Sequence, residues 1–97
     1  MTEALTAFLS IEDPLLDETE EALEEALGDL EVDVGGIGEL VGWDVDADGV
    51  QVHLLAEEPE RVIAVLAEAL PALGARPPTK LVASDPASGA ALYKRLL

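Results

Sequence analysis

The chain has 97 residues, no cysteine, and a formal net charge of −16 from 21 acidic and 5 basic side chains. The lack of cysteine excludes disulfide bonds, thiolate catalysis and cysteine-ligated zinc sites. The excess of negative charge argues against binding to nucleic acid or to an anionic membrane, because phosphate groups would be repelled.

The length predicts a single domain, residues 1–97, with one hydrophobic core. We see neither a basic, apolar leader nor an apolar run of membrane-spanning length, which favours a cytoplasmic location. The charge is distributed unevenly, since residues 1–60 hold 19 acidic side chains and no Lys or Arg. An acidic surface favours a basic protein partner, cations or solubility alone, and a generally acidic proteome would produce the same composition without a partner.

The first predicted elements are a strand and a helix. Apolar and polar residues alternate over 5–11, as in a half-buried strand. The helix starts at Asp13-Pro14, or alternatively with Asp17 as its cap, and ends where Gly28 offers a left-handed stop. Its predicted buried residues follow helical spacing and are Leu16, Leu23, Ala26, Leu27 and Leu30.

The remaining faces of this helix are acidic. Like-charged side chains stand four residues apart, and no basic residue lies near them in the sequence to offset the repulsion. Such a face is ordinarily only solvated, and a surface that binds a basic partner is the alternative. The residues assigned to this surface are Glu20, Glu21, Glu24 and Glu25.

Residues 37–56 predict a β-hairpin with Asp48-Gly49 as a two-residue turn. Strand side chains alternate between two faces, so this turn defines an apolar, core-facing side that includes Val41 and Trp43. The same register places Trp43 opposite Leu54.

The hairpin also carries three aspartates and the only histidine. The register places His53 opposite Asp44, as a stabilising cross-strand pair or, alternatively, as half of a general-base arrangement. Asp44, Asp46 and Asp48 match the first half of a calcium loop, but the position of its closing glutamate is Leu55. We therefore predict no metal site, no cofactor and no catalytic residue, and assign the three aspartates to the partner-binding surface.

A second helix is predicted after the hairpin. Glu58-Pro59 is typical of a helix start, and strong apolar spacing continues from it toward Leu73. Pro71 either ends or kinks the last turn, and Gly74 ends the helix.

The last quarter of the chain is harder to interpret. Residues 76–78 are expected to be a stiff linker, and residues 80–84 a short strand. Within 85–97 we prefer a helix that starts at Asp85-Pro86, and a final strand over 91–96 is the alternative.

This order of elements predicts an α+β fold, the ferredoxin-like plait (βαββαβ): a four-stranded antiparallel sheet with two helices on one face, plus a short C-terminal helix or strand. The other face of such a sheet is open. Phe8, Leu40 and Leu55 are predicted to lie there with His53, and together they are too apolar to remain in water. We expect partial cover by the tail and a homodimer contact.

The favoured function is a small, non-catalytic protein-interaction module, such as an inhibitor, an immunity-type protein or a subunit-docking domain, that recognises a basic partner. A small-molecule-sensing regulatory domain that uses the open sheet face is the alternative. A small dimeric enzyme of the plait type, with His53 and Asp44 as acid–base pair, is less favoured.

Overall fold

The computed structural model describes residues 3–84 and 91–97. Within them the chain forms five strands and two helices: β1 Glu3–Ser10, α1 Asp17–Asp33, β2 Gly38–Val45, β3 Gly49–Ala56, α2 Pro59–Leu73, β4 Arg76–Ser84 and β5 Ala91–Arg95. The strands form one antiparallel sheet in the order β2-β3-β1-β4-β5. Neither helix in this part of the chain is long and apolar enough to cross a membrane.

Both helices cover the same face of the sheet. Leu5 of β1, Val52 of β3 and Leu81 of β4 point toward that face and are buried. Leu27 of α1 and Leu66 of α2 meet them, each with 0% of its surface exposed, in one apolar cluster. Among the described residues no helix covers the opposite side, which we call the open face.

The fifth strand is the main departure from the predicted four-stranded sheet. β5 pairs with β4, with Lys80 opposite Arg95, and extends that edge. The fold is therefore α+β with a five-stranded sheet, not a strict four-stranded plait. Over residues 91–95 the preferred helix is wrong and the alternative strand is correct. The predicted helix start at Asp85-Pro86 lies outside the described residues.

Helix α1 starts at Asp17, beside the later of its two predicted starts, and ends later than predicted. Leu16 occupies the N-cap position without a side-chain hydrogen bond and is 56% exposed, so its predicted burial is wrong. The helix continues through Gly28 to Asp33. Leu30 and Val34 are buried beyond the glycine, and burying two such side chains outweighs the cost of one helical glycine, about 1 kcal/mol.

The hairpin forms, but its register is shifted by two residues. Trp43 lies opposite Val52 instead of Leu54. The turn runs from Asp46 to Gly49, and the N–H of Asp46 donates to the carbonyl of Gly49 at 2.9 Å. A shift of two keeps each side chain on its predicted side. Trp43 therefore shares a side with buried Val52, but on the edge strand its side chain stays 37% exposed.

A β-bulge in β2 reverses two predictions. The pairing with β3 shifts between Leu40 and Gly42, which leaves Val41 as an extra residue. Leu40, predicted on the open face, is 8% exposed within the core, whereas Val41, predicted in the core, is 60% exposed. The extra residue interrupts the alternation of side chains between the two faces. Residues before the bulge, counted back from the turn, were therefore assigned to the wrong face.

The second helix matches its prediction. It begins at Pro59, keeps Pro71 within its last turn, and has Gly74 as a left-handed C-cap with φ 72°. Residues 76–78, predicted as a linker, belong instead to β4, where Arg76 lies opposite Ser10 across a bulge in the pairing.

Candidate functional site

Most acidic side chains of α1 lie away from the buried stripe of Leu23, Leu27 and Leu30. Glu20, seven residues before Leu27, continues this stripe in the first turn and is exposed there. Between residues 19 and 26 the exposed acids are Glu20, Glu21, Glu24 and Glu25. None of the ion pairs among the described residues involves an acid of α1, and the last turn holds no basic residue. We call these four glutamates the acidic surface of α1.

Exposed apolar side chains flank the acidic surface of α1. Leu15 and Leu16, just before the helix, are 63% and 56% exposed. Val32, in the last turn, is 78% exposed. It lies three turns beyond Glu21 and therefore on the same side of the helix. A partner lying along α1 would meet carboxylates in the middle and apolar contacts at both ends.

The hairpin aspartates do not join the acidic surface of α1. Asp44 alternates with Trp43 and so lies on the open face, on the other side of the sheet. Oδ1 of Asp46 accepts hydrogen bonds from the backbone N–H groups of Asp48 and Gly49, both at 2.9 Å, and this carboxylate therefore stabilises the turn. The predicted partner-binding residues are thus divided between two sides of the molecule.

His53 contacts Asp44, as predicted, but along a diagonal. Its Nε2 lies 3.0 Å from Oδ2 of Asp44, although the residues directly opposite them are Gly42 and Gln51, respectively. The histidine and aspartate side chains are 36% and 79% exposed. Such an exposed pair contributes at most about 1 kcal/mol. Within the described residues no three His, Asp or Glu side chains lie close enough together to hold a metal ion.

The open face holds two of its three predicted apolar residues and two cations that the sequence interpretation missed. Phe8 and Leu55 are 39% and 37% exposed there, while Leu40 belongs to the core. Lys80 lies opposite Phe8, and Arg95 opposite Lys80. Strand alternation could have placed Lys80 on the open face, because its neighbour Leu81 is apolar and is buried on the other side. The position of Arg95 could not be predicted without β5.

A cleft of about 220 Å³ opens beside the hairpin turn. Its lining residues include Phe8, Asp48, Gln51 and Lys80, but not His53. A deep apolar pocket beside His53 would have favoured a ligand-sensing or catalytic role. This cleft instead combines an aromatic ring with charges of both signs.

No protein-family model, curated protein or solved structure matches the chain.

Proposed function

We propose that the protein is a small, acidic, non-catalytic protein-interaction module that binds a basic protein partner through α1. An inhibitor, an immunity-type protein and a subunit-docking domain belong to this class. The observation that carries the proposal is the acidic surface of α1, bounded by exposed Leu15, Leu16 and Val32. A cytoplasmic location is part of the proposal.

The scaffold in this proposal is a ferredoxin-like plait extended by β5. Its first four strands lie in the order β2-β3-β1-β4, and α1 and α2 cover one face. On this scaffold the outer side of α1 is accessible along its whole length. A partner that approaches it does not have to displace the sheet or the second helix.

The charge pattern of α1 supports a basic partner. Glu20 and Glu24, like Glu21 and Glu25, are like-charged pairs one turn apart, and each pair costs about 0.2–0.5 kcal/mol in an isolated helix. Lysine or arginine side chains of a partner would relieve this repulsion. The exposed leucines add apolar contact, which electrostatic attraction alone does not supply.

The proposal is tested with a synthetic amphipathic helical peptide of lysine and leucine as the probe. In one variant the acidic surface of α1 is neutralised by Glu→Gln at positions 20, 21, 24 and 25. A matched control variant carries the same substitution at four exposed glutamates outside α1, namely Glu39, Glu57, Glu60 and Glu68. Both variants change the net charge by the same amount, so only the position of the charge differs.

We expect the α1 variant to bind the peptide at least about tenfold more weakly and the control variant to bind it nearly as well as the wild type. Amide chemical-shift changes in the wild type should concentrate on α1 and on Leu15 and Leu16. Equal weakening of both variants would contradict the proposal, because net charge alone would then govern binding.

A further inference from the structure

The open face carries one row of side chains that crosses all five strands. Strand register places Asp44 beside Gln51, Gln51 beside Phe8, Phe8 beside Lys80, and Lys80 beside Arg95. Asp44, Lys80 and Arg95 are exposed, and Phe8 at the centre is 39% exposed. The row therefore changes from acidic at the β2 edge, through an aromatic ring, to basic at the β5 edge.

This row is complementary to itself when it is reversed. A two-fold axis parallel to the strands, passing over β1, would place a second copy of the row upon the first in the opposite direction. Phe8 would then meet Phe8 of the second copy, and Asp44 would meet Arg95 at both ends. Gln51 would meet Lys80. We propose that the open face is the interface of a homodimer with this two-fold axis.

The alternative two-fold axis, perpendicular to the strands, is disfavoured by charge. This axis would stack β2 on β2 of the second copy with the ends exchanged. Asp44 of one copy would then lie over Glu39 of the other, because the two residues are near opposite ends of β2. Acidic side chains would then face acidic side chains at the β2 edge, which costs free energy. Charge thus selects one of the two ways in which the sheets can stack face to face.

The size of the open face is sufficient for a dimer. Four strands of eight or nine residues and the shorter β5, about 4.8 Å apart, present about 550 Å² on each copy, or about 1,100 Å² in total. Stable specific interfaces start at about 1,000–1,200 Å². Leu55, 37% exposed, would be covered as well. Stacking would remove the side chains of Phe8 and Leu55 from water, where their exposure is unfavourable.

The test measures the dimer dissociation constant of the full chain by sedimentation equilibrium at low salt. Asp44→Arg and Arg95→Asp are made singly and together, and Glu68→Arg on α2, an exposed position, is the control that matches the charge change of Asp44→Arg. Far-UV circular dichroism establishes that each variant is folded. Each single reversal replaces two attractive pairs with two repulsive ones, since the axis repeats every contact.

We expect each single reversal on the open face to raise the dissociation constant at least about tenfold, and the double reversal to return it to within about threefold of the wild type. Glu68→Arg should not raise the dissociation constant. Phe8→Ala should also weaken the dimer. A wild type that stays monomeric at millimolar concentration would overturn the proposal. Tighter association of Asp44→Arg than of the wild type would also overturn it. So would a double variant that is folded but dimerises no better than the single variants.

The proposed dimer interface and the acidic surface of α1 lie on opposite sides of the sheet. Failure of one test therefore leaves the other proposal standing.

Discussion

The carboxylate of Asp46 illustrates how one side chain can determine the register of a hairpin. The Asp48-Gly49 dipeptide favours a two-residue turn, yet the chain turns from Asp46 to Gly49. Oδ1 of Asp46 accepts two backbone N–H groups that would otherwise rely on water. Gly49 has a separate constraint, since a Cβ at this position would clash with the carbonyl oxygen of Leu9. Asp46 therefore stabilises the turn, and Gly49 allows β3 to lie close to β1.

Replacement of Asp46 by Ala should lower the free energy of unfolding by about 1–2 kcal/mol, because two backbone donors lose their acceptor. Urea denaturation measures the change. Asp46→Asn keeps an acceptor oxygen and should cost clearly less. Asp48→Ala, whose carboxylate does not form the turn, should stay within about 0.5 kcal/mol of the wild type. Similar losses at 46 and 48 would contradict the turn-stabilising role of Asp46.

Helix α1 is long because its apolar spacing continues past a glycine. Gly28 is exposed, and a Cβ added to it would have nothing within 4 Å. The glycine therefore does not end the helix, and the buried residues beyond it, Leu30 and Val34, hold the last turn against the sheet. Gly74 behaves differently, because its left-handed φ of 72° ends α2.

Gly28→Ala should stabilise the protein by about 0.5–1 kcal/mol, since alanine loses less backbone entropy in a helix and has room for its methyl group. Gly74→Ala is the control and should destabilise it by about 1 kcal/mol, because its φ is unfavourable for a residue with a Cβ. Thermal unfolding followed by circular dichroism measures both changes. A loss of stability in Gly28→Ala would contradict the open space that surrounds a Cβ at this position.

The molecule as a whole separates its charges. Acidic side chains cover α1 and the hairpin, while Lys80, Lys94 and Arg95 lie along the β4–β5 edge. Among the described residues, Arg61 and Arg76 each form an ion pair, with Glu58 and Glu12 respectively. With a formal net charge of −16, repulsion in the compact state outweighs these exposed pairs.

Added salt should therefore stabilise the fold. Raising NaCl from about 10 mM to about 150 mM shortens the Debye length from about 30 Å to about 8 Å, which screens repulsion between the surface acids. The midpoint of urea unfolding should rise over this range. In the variant with four Glu→Gln substitutions on α1 the rise should be smaller, because four negative charges are removed. A midpoint that falls with salt in the wild type would contradict net repulsion.

Local chemistry was sufficient where an element depends on its own residues. The alternation of β1, the existence of the hairpin, and the limits of α2 follow from side-chain periodicity and from Pro and Gly at defined positions. The contact of His53 with Asp44 was also correctly anticipated, although its register was not. The positions of Glu21, Glu24 and Glu25 are determined in the same way, because helical spacing separates them from the buried leucines.

The order of the amino acids is enough to predict which residues alternate, which helix faces are apolar, and where the charge concentrates. The register of the hairpin, the side taken by Leu40 and the position of β5 emerge only in the folded molecule, where β5 brings Arg95 into one row with Phe8 and Asp44. The two groups of features depend on interactions of different range. Periodicity and capping act within a few residues, whereas register, bulges and edge pairing depend on hydrogen bonds and burial between strands far apart in the chain.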